Sequence, residues 1–180
     1  KFDNGTIEIH YQLFPIQDLA FRTILMFESR LEKRNITLEG LDSEPVQVWG
    51  DPDLIGQVIY NLFENATKFV NTGGTITFTF KDEPNNTSIA IRNTGAGISK
   101  EELPKIFERF YKSDDSRSHD KTGLGIGLDI TKHIVRLHKA QISVSSEEGE
   151  YTEFLIRLPK KDAPAESPTE NPEKQPKDAR

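Results

Sequence analysis

Asn61, Asn65 and Lys68 are spaced i, i+4 and i+7, the spacing at which helical residues share one edge. Two amides and an ammonium set side by side have a definite chemistry. An amide oxygen is a hard ligand that suits Mg2+, and an ammonium one turn further on suits a phosphate. A solvated polar edge would show the same spacing. Asn is mildly unfavourable in a helix interior, however, because its side chain competes for backbone partners, so two of them call for compensation. A second chemistry sits in two glycine-rich runs, NTGAGIS (93–99) and TGLGIGL (122–128). Alternate glycines let backbone N–H groups turn toward a ligand that approaches without a Cβ in the way. TGLGIGL also leads straight into a helix, whose free N–H groups and dipole attract anions, so phosphates are expected there. Turns needing positive φ would use the same glycines. Neither run meets GxxxxGK[ST] or GxGxxG, because position 100 is Lys100 and the second run places glycine at 123, 125 and 127, so neither the P-loop nor the dinucleotide fingerprint is present.

The elements that must position these residues follow from periodicity. GDP at 50–52 starts a helix, with Asp51 as cap and Pro52 in the first turn, where its missing N–H is not needed. Leu54, Ile55, Val58, Ile59, Leu62, Ala66 and Phe69 then fall within one apolar arc of roughly 140°, and the helix runs to about Val70. Ile7, Ile9, Tyr11 and Leu13 alternate as a half-buried strand would. Ala20, Ile24, Phe27 and Leu31 recur at helical spacing between Ile16 and Lys33, and NITLEG and PVQVWG read as short strands. TITFTFK (75–81) and SIAIRN (88–93) form a hairpin across EPNN. From Gly95 to Gly127 the chain is rich in Gly, Ser, Asp and Lys, with one amphipathic turn near Leu103 to Phe110, and is expected to be mobile. A helix over 127–139 and two strands, QISVSSE and YTEFLIRLP, follow. The pattern predicts an α/β two-layer sandwich: one mixed, mostly antiparallel sheet covered on one face by about three helices.

Composition sets the bounds. The chain has 180 residues, 34% of them apolar, no cysteine and a net charge of −6. That length holds one domain, and no apolar run reaches the ~18 residues of a membrane span. Without cysteine there is no disulfide scaffold, thiolate metal site or cysteine nucleophile. The negative balance argues against a nucleic-acid partner, since phosphate backbones are gripped by clustered Lys and Arg. The N-terminus lacks a signal-peptide pattern and does not begin with Met, so the chain reads as a piece of a longer protein. Residues 160–180 hold four prolines and balanced charges, five of each sign. They are expected to be a disordered tail following a domain over 1–159.

Taken in chain order, the GDP helix start, NLFENATKF (61–69), NTGAGI (93–98), IFERFYKSDDS (106–116) and TGLGIGL are far more specific than any one of them. In that order they resemble the N, G1, F and G2 boxes of the catalytic, ATP-binding domain of sensor histidine kinases. That superfamily also holds DNA gyrase, the heat-shock chaperone ATPases and the mismatch-repair ATPases. The resemblance covers residues 6–159 and implies a Bergerat fold with a mobile ATP lid, binding ATP and Mg2+. It implies that Asn65 supplies a side-chain oxygen to Mg2+, that Asn61 orients phosphate or metal-bound water, and that Lys68 neutralises phosphate charge. Phe69 would lie against the purine ring, although ending the apolar arc accounts for it as well. Gly95, Gly97 and Ile98 would wall the adenine pocket. Tyr111 and Lys112 would reach over the ribose and phosphates, with 113–122 as the lid, so that Asn61, Lys68 and Lys112 bear on catalysis. Gly123, Leu124, Gly125 and Gly127 would offer N–H groups to the phosphates, and Thr152 would touch the base side through water.

Two positions set this sequence apart. The G1 box of the family usually opens with Asp, which accepts from the adenine amine, and here that place is Asn93. A neutral acceptor contributes ~0.5 to 1.5 kcal/mol against ~1.5 to 3 for a charged one, so weaker ATP binding and less rejection of guanine are expected. Hydrolytic superfamily members carry a Glu general base one turn before the metal-binding Asn, and here that place is Asn61, which cannot take a proton. Glu64 points about 60° away from it. None of His10, His119, His133 and His138 has the context of the family's phosphoacceptor. The resemblance therefore implies that the acceptor lies in an upstream helical dimerisation domain, and that a cognate response regulator completes the pathway. The segment is expected to be cytoplasmic and to make no membrane contact itself, any anchor lying upstream. Two rivals remain: a nucleotide-binding regulatory module without phosphotransfer, and a serine kinase of the anti-sigma-factor type.

Overall fold

The computed structural model describes residues 6–107 and 126–163. Its elements run β1 Gln12–Pro15, α1 Ile16–Met26, α2 Glu28–Lys33, β2 Thr37–Glu39, β3 Gln47–Gly50, α3 Pro52–Phe69, β4 Thr75–Asp82 and β5 Asn86–Thr94. A short 3-10 turn, Leu103–Lys105, precedes α4 Ile126–Leu137, and β6 Gln141–Glu147 and β7 Tyr151–Pro159 complete the order. A five-stranded sheet has the order β2-β4-β5-β7-β6. β2 is parallel to β4, and the remaining pairs are antiparallel.

Alternation along the strands separates the two faces. Ile76 and Phe78 of β4, Ile89 and Ile91 of β5, and Phe154, Ile156 and Leu158 of β7 are buried. They meet Ile55, Val58, Ile59, Leu62, Phe63 and Ala66 of α3 and Ile134 and Val135 of α4 in one core. The other face carries Thr77, Arg92 and Glu153, with an Arg92–Glu153 ion pair at 2.9 Å. Each large side chain in the covered layer contributes about 1.5–3 kcal/mol of transfer free energy, so burial on one side holds the layers together.

Four details differ from the sequence reading. The sheet is accompanied by a second, two-stranded one, β1 against β3. Each of these strands runs almost without a loop into a helix, α1 or α3, which places the pair beside the helical layer. The first strand starts at Gln12; just before it Tyr11 stacks on Trp49 at 5.4 Å, while Ile7 is exposed. The helix predicted over 16–33 breaks at Phe27, whose φ of −109° and ψ of 5° are not helical. The break seats the Phe27 ring against both Tyr60 and Phe63, each at 5.4 Å. Within α3, Phe63 is buried where Phe69 was expected, and Phe69 is 39% exposed. Of the predicted tail, residues 160–163 are described: Lys160 N–H donates to the Asn85 carbonyl and Lys161 lies over the Trp49 ring. The rest of it, 164–180, is outside the described residues.

α3 is secured at both ends. At its start Asp51 Oδ1 accepts from Asp53 N–H and Leu54 N–H at 3.0 and 3.2 Å, while Oδ2 accepts from His10 N–H at 3.0 Å. The Asp51 N–H itself donates to Nε2 of the buried His138 at 3.1 Å. That ring's Nδ1 donates to the Ile134 carbonyl at 2.8 Å, so the imidazole is the neutral Nδ1–H tautomer and ties the end of α4 to the start of α3. At the other end the Arg34 guanidinium donates to the Thr67 and Val70 carbonyls, and Arg30 reaches Thr67 Oγ1 at 3.1 Å, cations placed where the helix dipole is negative. Asp51→Ala removes acceptors for three N–H groups and should lower unfolding stability by about 1–2 kcal/mol, measured by urea denaturation of the two proteins. An unchanged midpoint would rule out the capping role.

Candidate functional site

α3 presents its polar edge toward α4 and toward the loop that follows β5. Asn61, Asn65 and Glu64 are half-buried, and Lys68 and Phe69 are exposed. The Asn61 Nδ2 donates to the Gly127 carbonyl at 3.3 Å and to Thr131 Oγ1 at 3.4 Å, which ties the N box to the helix that follows the second glycine run. Lys68 pairs with Glu64, one turn earlier, at 3.6 Å. Such a partly exposed pair is worth ~0–1 kcal/mol and exchanges readily for another anion.

The loop after β5 is drawn in by its glycines. Gly95 has φ +144° and Gly97 φ +70°, a region open mainly to glycine. A Cβ on Gly95 would overlap the Phe69 carbonyl oxygen, and one on Gly97 would overlap the Glu147 carbonyl. Val70 bridges to Gly95, fixing the end of α3 beside this loop. Ile98 N–H donates to Ser146 Oγ at 2.7 Å. Gly95 and Gly97 thus serve close backbone packing, and they bring Phe69 and Ile98 to the same end of the sheet.

Beneath that loop the apolar face of the sheet ends in polar residues. Asn93, Thr152 and Ser146 pair in sequence across β5, β7 and β6, and Asn93 is 2% exposed. Ser146 donates its single hydroxyl hydrogen to the Tyr151 carbonyl at 2.6 Å, so in its 3.2 Å contact with Thr152 the threonine donates. The Asn93 Nδ2 donates to the Thr94 carbonyl at 3.0 Å, which leaves Oδ1 as the acceptor end of the amide.

Gly127 differs from the other two glycines. It does not have positive φ, and a Cβ there would rest 3.7–3.9 Å from Asn61, an ordinary contact. Nothing within the described chain requires glycine at this position. Tyr111, Lys112, Gly123, Leu124 and Gly125 lie outside the described residues, as does the 113–122 segment read as a lid. No group of His, Cys, Asp and Glu among the described residues could hold a metal; an amide-plus-phosphate Mg2+ site needs none of them.

Ser146, Thr131 and His138 were not picked out as site or framework residues from the sequence. Thr131 and Ser146 carry ordinary hydroxyls in amphipathic elements, and their partners lie on other elements, out of reach of any spacing rule.

Residues 50–162 match the family described as histidine kinase-, DNA gyrase B- and HSP90-like ATPases. The sensor protein SrrB of Staphylococcus aureus is 40% identical over 161 residues, 89% of this chain and 27% of that protein, so the chain spans about a quarter of the relative's length. The nucleotide-free catalytic domain of the histidine kinase ThkA superposes with a TM-score of 0.71 at 27% identity, covering 83% of this chain and 95% of that one. A second structure holds ThkA in complex with the response regulator protein TrrA; its kinase chain superposes with a TM-score of 0.68 at 26% identity, over 84% of this chain and 42% of that one.

The contrast between the glycines is testable by thermal denaturation. Gly95→Ala should lose about 2 kcal/mol or more, from strain at positive φ and overlap with a carbonyl. Gly127→Ala should keep or slightly raise the midpoint, because alanine is the better helix former by up to ~1 kcal/mol.

Proposed function

Since the chain belongs to the histidine kinase-, DNA gyrase B- and HSP90-like ATPase family, we propose that it is the ATP-binding catalytic domain of a two-component sensor histidine kinase. In this reading it transfers the γ-phosphate of ATP to a histidine on an upstream helical dimerisation domain. The observation that carries it is the meeting of Asn61 with Gly127 and Thr131, which sets the amide edge of α3 against the first turn of α4. When bound, Mg-ATP supplies the phosphoryl group and its charge. Asn65 offers a hard oxygen to the metal, Asn61 orients phosphate or metal-bound water, and Lys68 exchanges its Glu64 partner for phosphate oxygens. The first turn of α4 faces the anion with free N–H groups, and Gly127 leaves room for it. Phe69 lays an exposed ring beside the purine. Gly95, Gly97 and Ile98 wall the base, with Asn93 Oδ1 accepting from the adenine amine and Thr152 reaching the base through water. Tyr111, Lys112, Gly123, Leu124 and Gly125 take their roles from motif order alone.

Asn61 decides the type of chemistry. An amide cannot act as a general base toward water, and the nearby Glu64 carboxylate faces Lys68. Phosphoryl transfer rests mainly on positioning and charge neutralisation, so the γ-phosphate waits for an imidazole brought by a partner domain. A response regulator is then the next acceptor, in keeping with the ThkA–TrrA complex. No helix among the described residues is long and apolar enough to cross a membrane; in this reading the segment is cytoplasmic and any anchor lies upstream.

The chain should bind Mg-ATP and, mixed with a separately purified phosphoacceptor hairpin domain, should yield acid-labile phosphate on that domain, while Asn65→Ala loses the transfer. Acid-stable label would favour the serine kinase, and nucleotide binding with no label at all the regulatory module. At the base, the wild type should prefer ATP to GTP. Asn93→Asp should tighten ATP binding about three- to tenfold, from the charged acceptor, as read by titration calorimetry. Tighter ATP binding by the wild type than by the variant would reject the assigned contact.

A further inference from the structure

Thr131 belongs to no motif that identifies the site, yet it is fully buried, at 0% exposure, and its hydroxyl lies 3.4 Å from Asn61 Nδ2 across the interface between α3 and α4. The same nitrogen also donates to the Gly127 carbonyl at 3.3 Å. A primary amide has two N–H hydrogens and one carbonyl oxygen in a single plane. Two acceptors on α4 therefore hold the nitrogen end of the amide, which distinguishes it from the oxygen end.

We propose that Thr131 is a positioning residue for nucleotide binding: its hydroxyl, acting with the Gly127 carbonyl, fixes the Asn61 amide so that the oxygen serves the Mg2+-phosphate group. This deepens the reading of the chain as an ATP-binding domain and rests on it.

Two features support the assignment. A valine would fill the same space as Thr131 in an apolar helix interface, so burial alone does not call for a hydroxyl. The hydroxyl instead accepts from Asn61 Nδ2 across the interface. Without the hydroxyl the Asn61 nitrogen keeps only one of these two acceptors, and the amide is freer to rotate and present a donor where an acceptor is needed.

The test is nucleotide affinity measured with Mg2+ and again in EDTA, for the wild type, Thr131→Val, Thr131→Ser, Asn61→Ala and the Thr131→Val, Asn61→Ala double variant, each with its unfolding midpoint. Thr131→Val should bind Mg-ATP about tenfold more weakly, the consequence of one half-buried donor losing its partner. Its affinity in EDTA, set by the base, should stay within about twofold, and Thr131→Ser should restore the Mg2+-dependent part. In the double variant the valine should add nothing to the loss from Asn61→Ala. Thr131→Val matching the wild type in Mg2+, equal losses with and without the metal, or additive losses in the double variant would each overturn the proposal while leaving the functional reading in place. A wild type that takes up no nucleotide in either condition would overturn that reading, and this one with it.

Discussion

α3 is the reference for everything else at the site, and its position is held by charge and hydrogen bonding at both termini. At the N-terminus a buried carboxylate accepts from the first-turn N–H groups and from the approaching His10 backbone. At the C-terminus a guanidinium takes the last carbonyls. Both placements complement the helix dipole. They differ from ordinary caps in reach, because His138 links the start of α3 to the end of α4 and Arg34 links its finish to α2. A long helix fixed at two points over a sheet has little freedom to slide, so the residues along its edge keep a constant relation to the loop after β5 and to α4.

That constraint explains how the glycines divide their labour. Gly95 and Gly97 let the backbone approach the carbonyls of Phe69 and Glu147, which closes the gap between α3 and the β6–β7 hairpin. Gly127 faces Asn61 with space for a methyl group. Beneath the loop the sheet passes from Ile91 and Phe154 to Asn93, Thr152 and Ser146 within one step along each strand. The polar end of an otherwise apolar face lies beside an exposed aromatic ring and an amide edge. Such a mixture of apolar wall and few convergent polar groups is what a purine nucleotide needs.

Electrostatics then separates holding a phosphate from attacking it. Lys68 is paired with Glu64 across one turn of α3, a contact weak enough to be replaced by a stronger anion. Asn61 and Asn65 contribute dipoles without a proton to exchange. Neither amide can draw a proton from water, so in the proposed reading the residues of this chain position and neutralise the phosphates while a partner domain brings the nucleophile.

Much of this was legible in the residues themselves. The capped start at Asp51, the amide and ammonium spacing at 61, 65 and 68, and the order of the glycine-rich runs depend on local geometry: capping, helical period and the absence of a Cβ act within a few residues of chain. The sandwich followed from alternation and period for the same reason. What sequence could not supply depended on which elements meet. The break at Phe27 is set by rings from α3. The exchange of Phe63 for Phe69 in the core turns on how α3 is rotated over the sheet, which a helical arc leaves undecided by a residue or two. The grip of His138 on Asp51, and of Thr131 on Asn61, joins positions 87 and 70 residues apart. Local chemistry thus determined the kind of site, while the packing of α3 between the sheet, α2 and α4 decided the orientation of its donors and acceptors, because a hydrogen bond between distant residues exists only once the layers have closed.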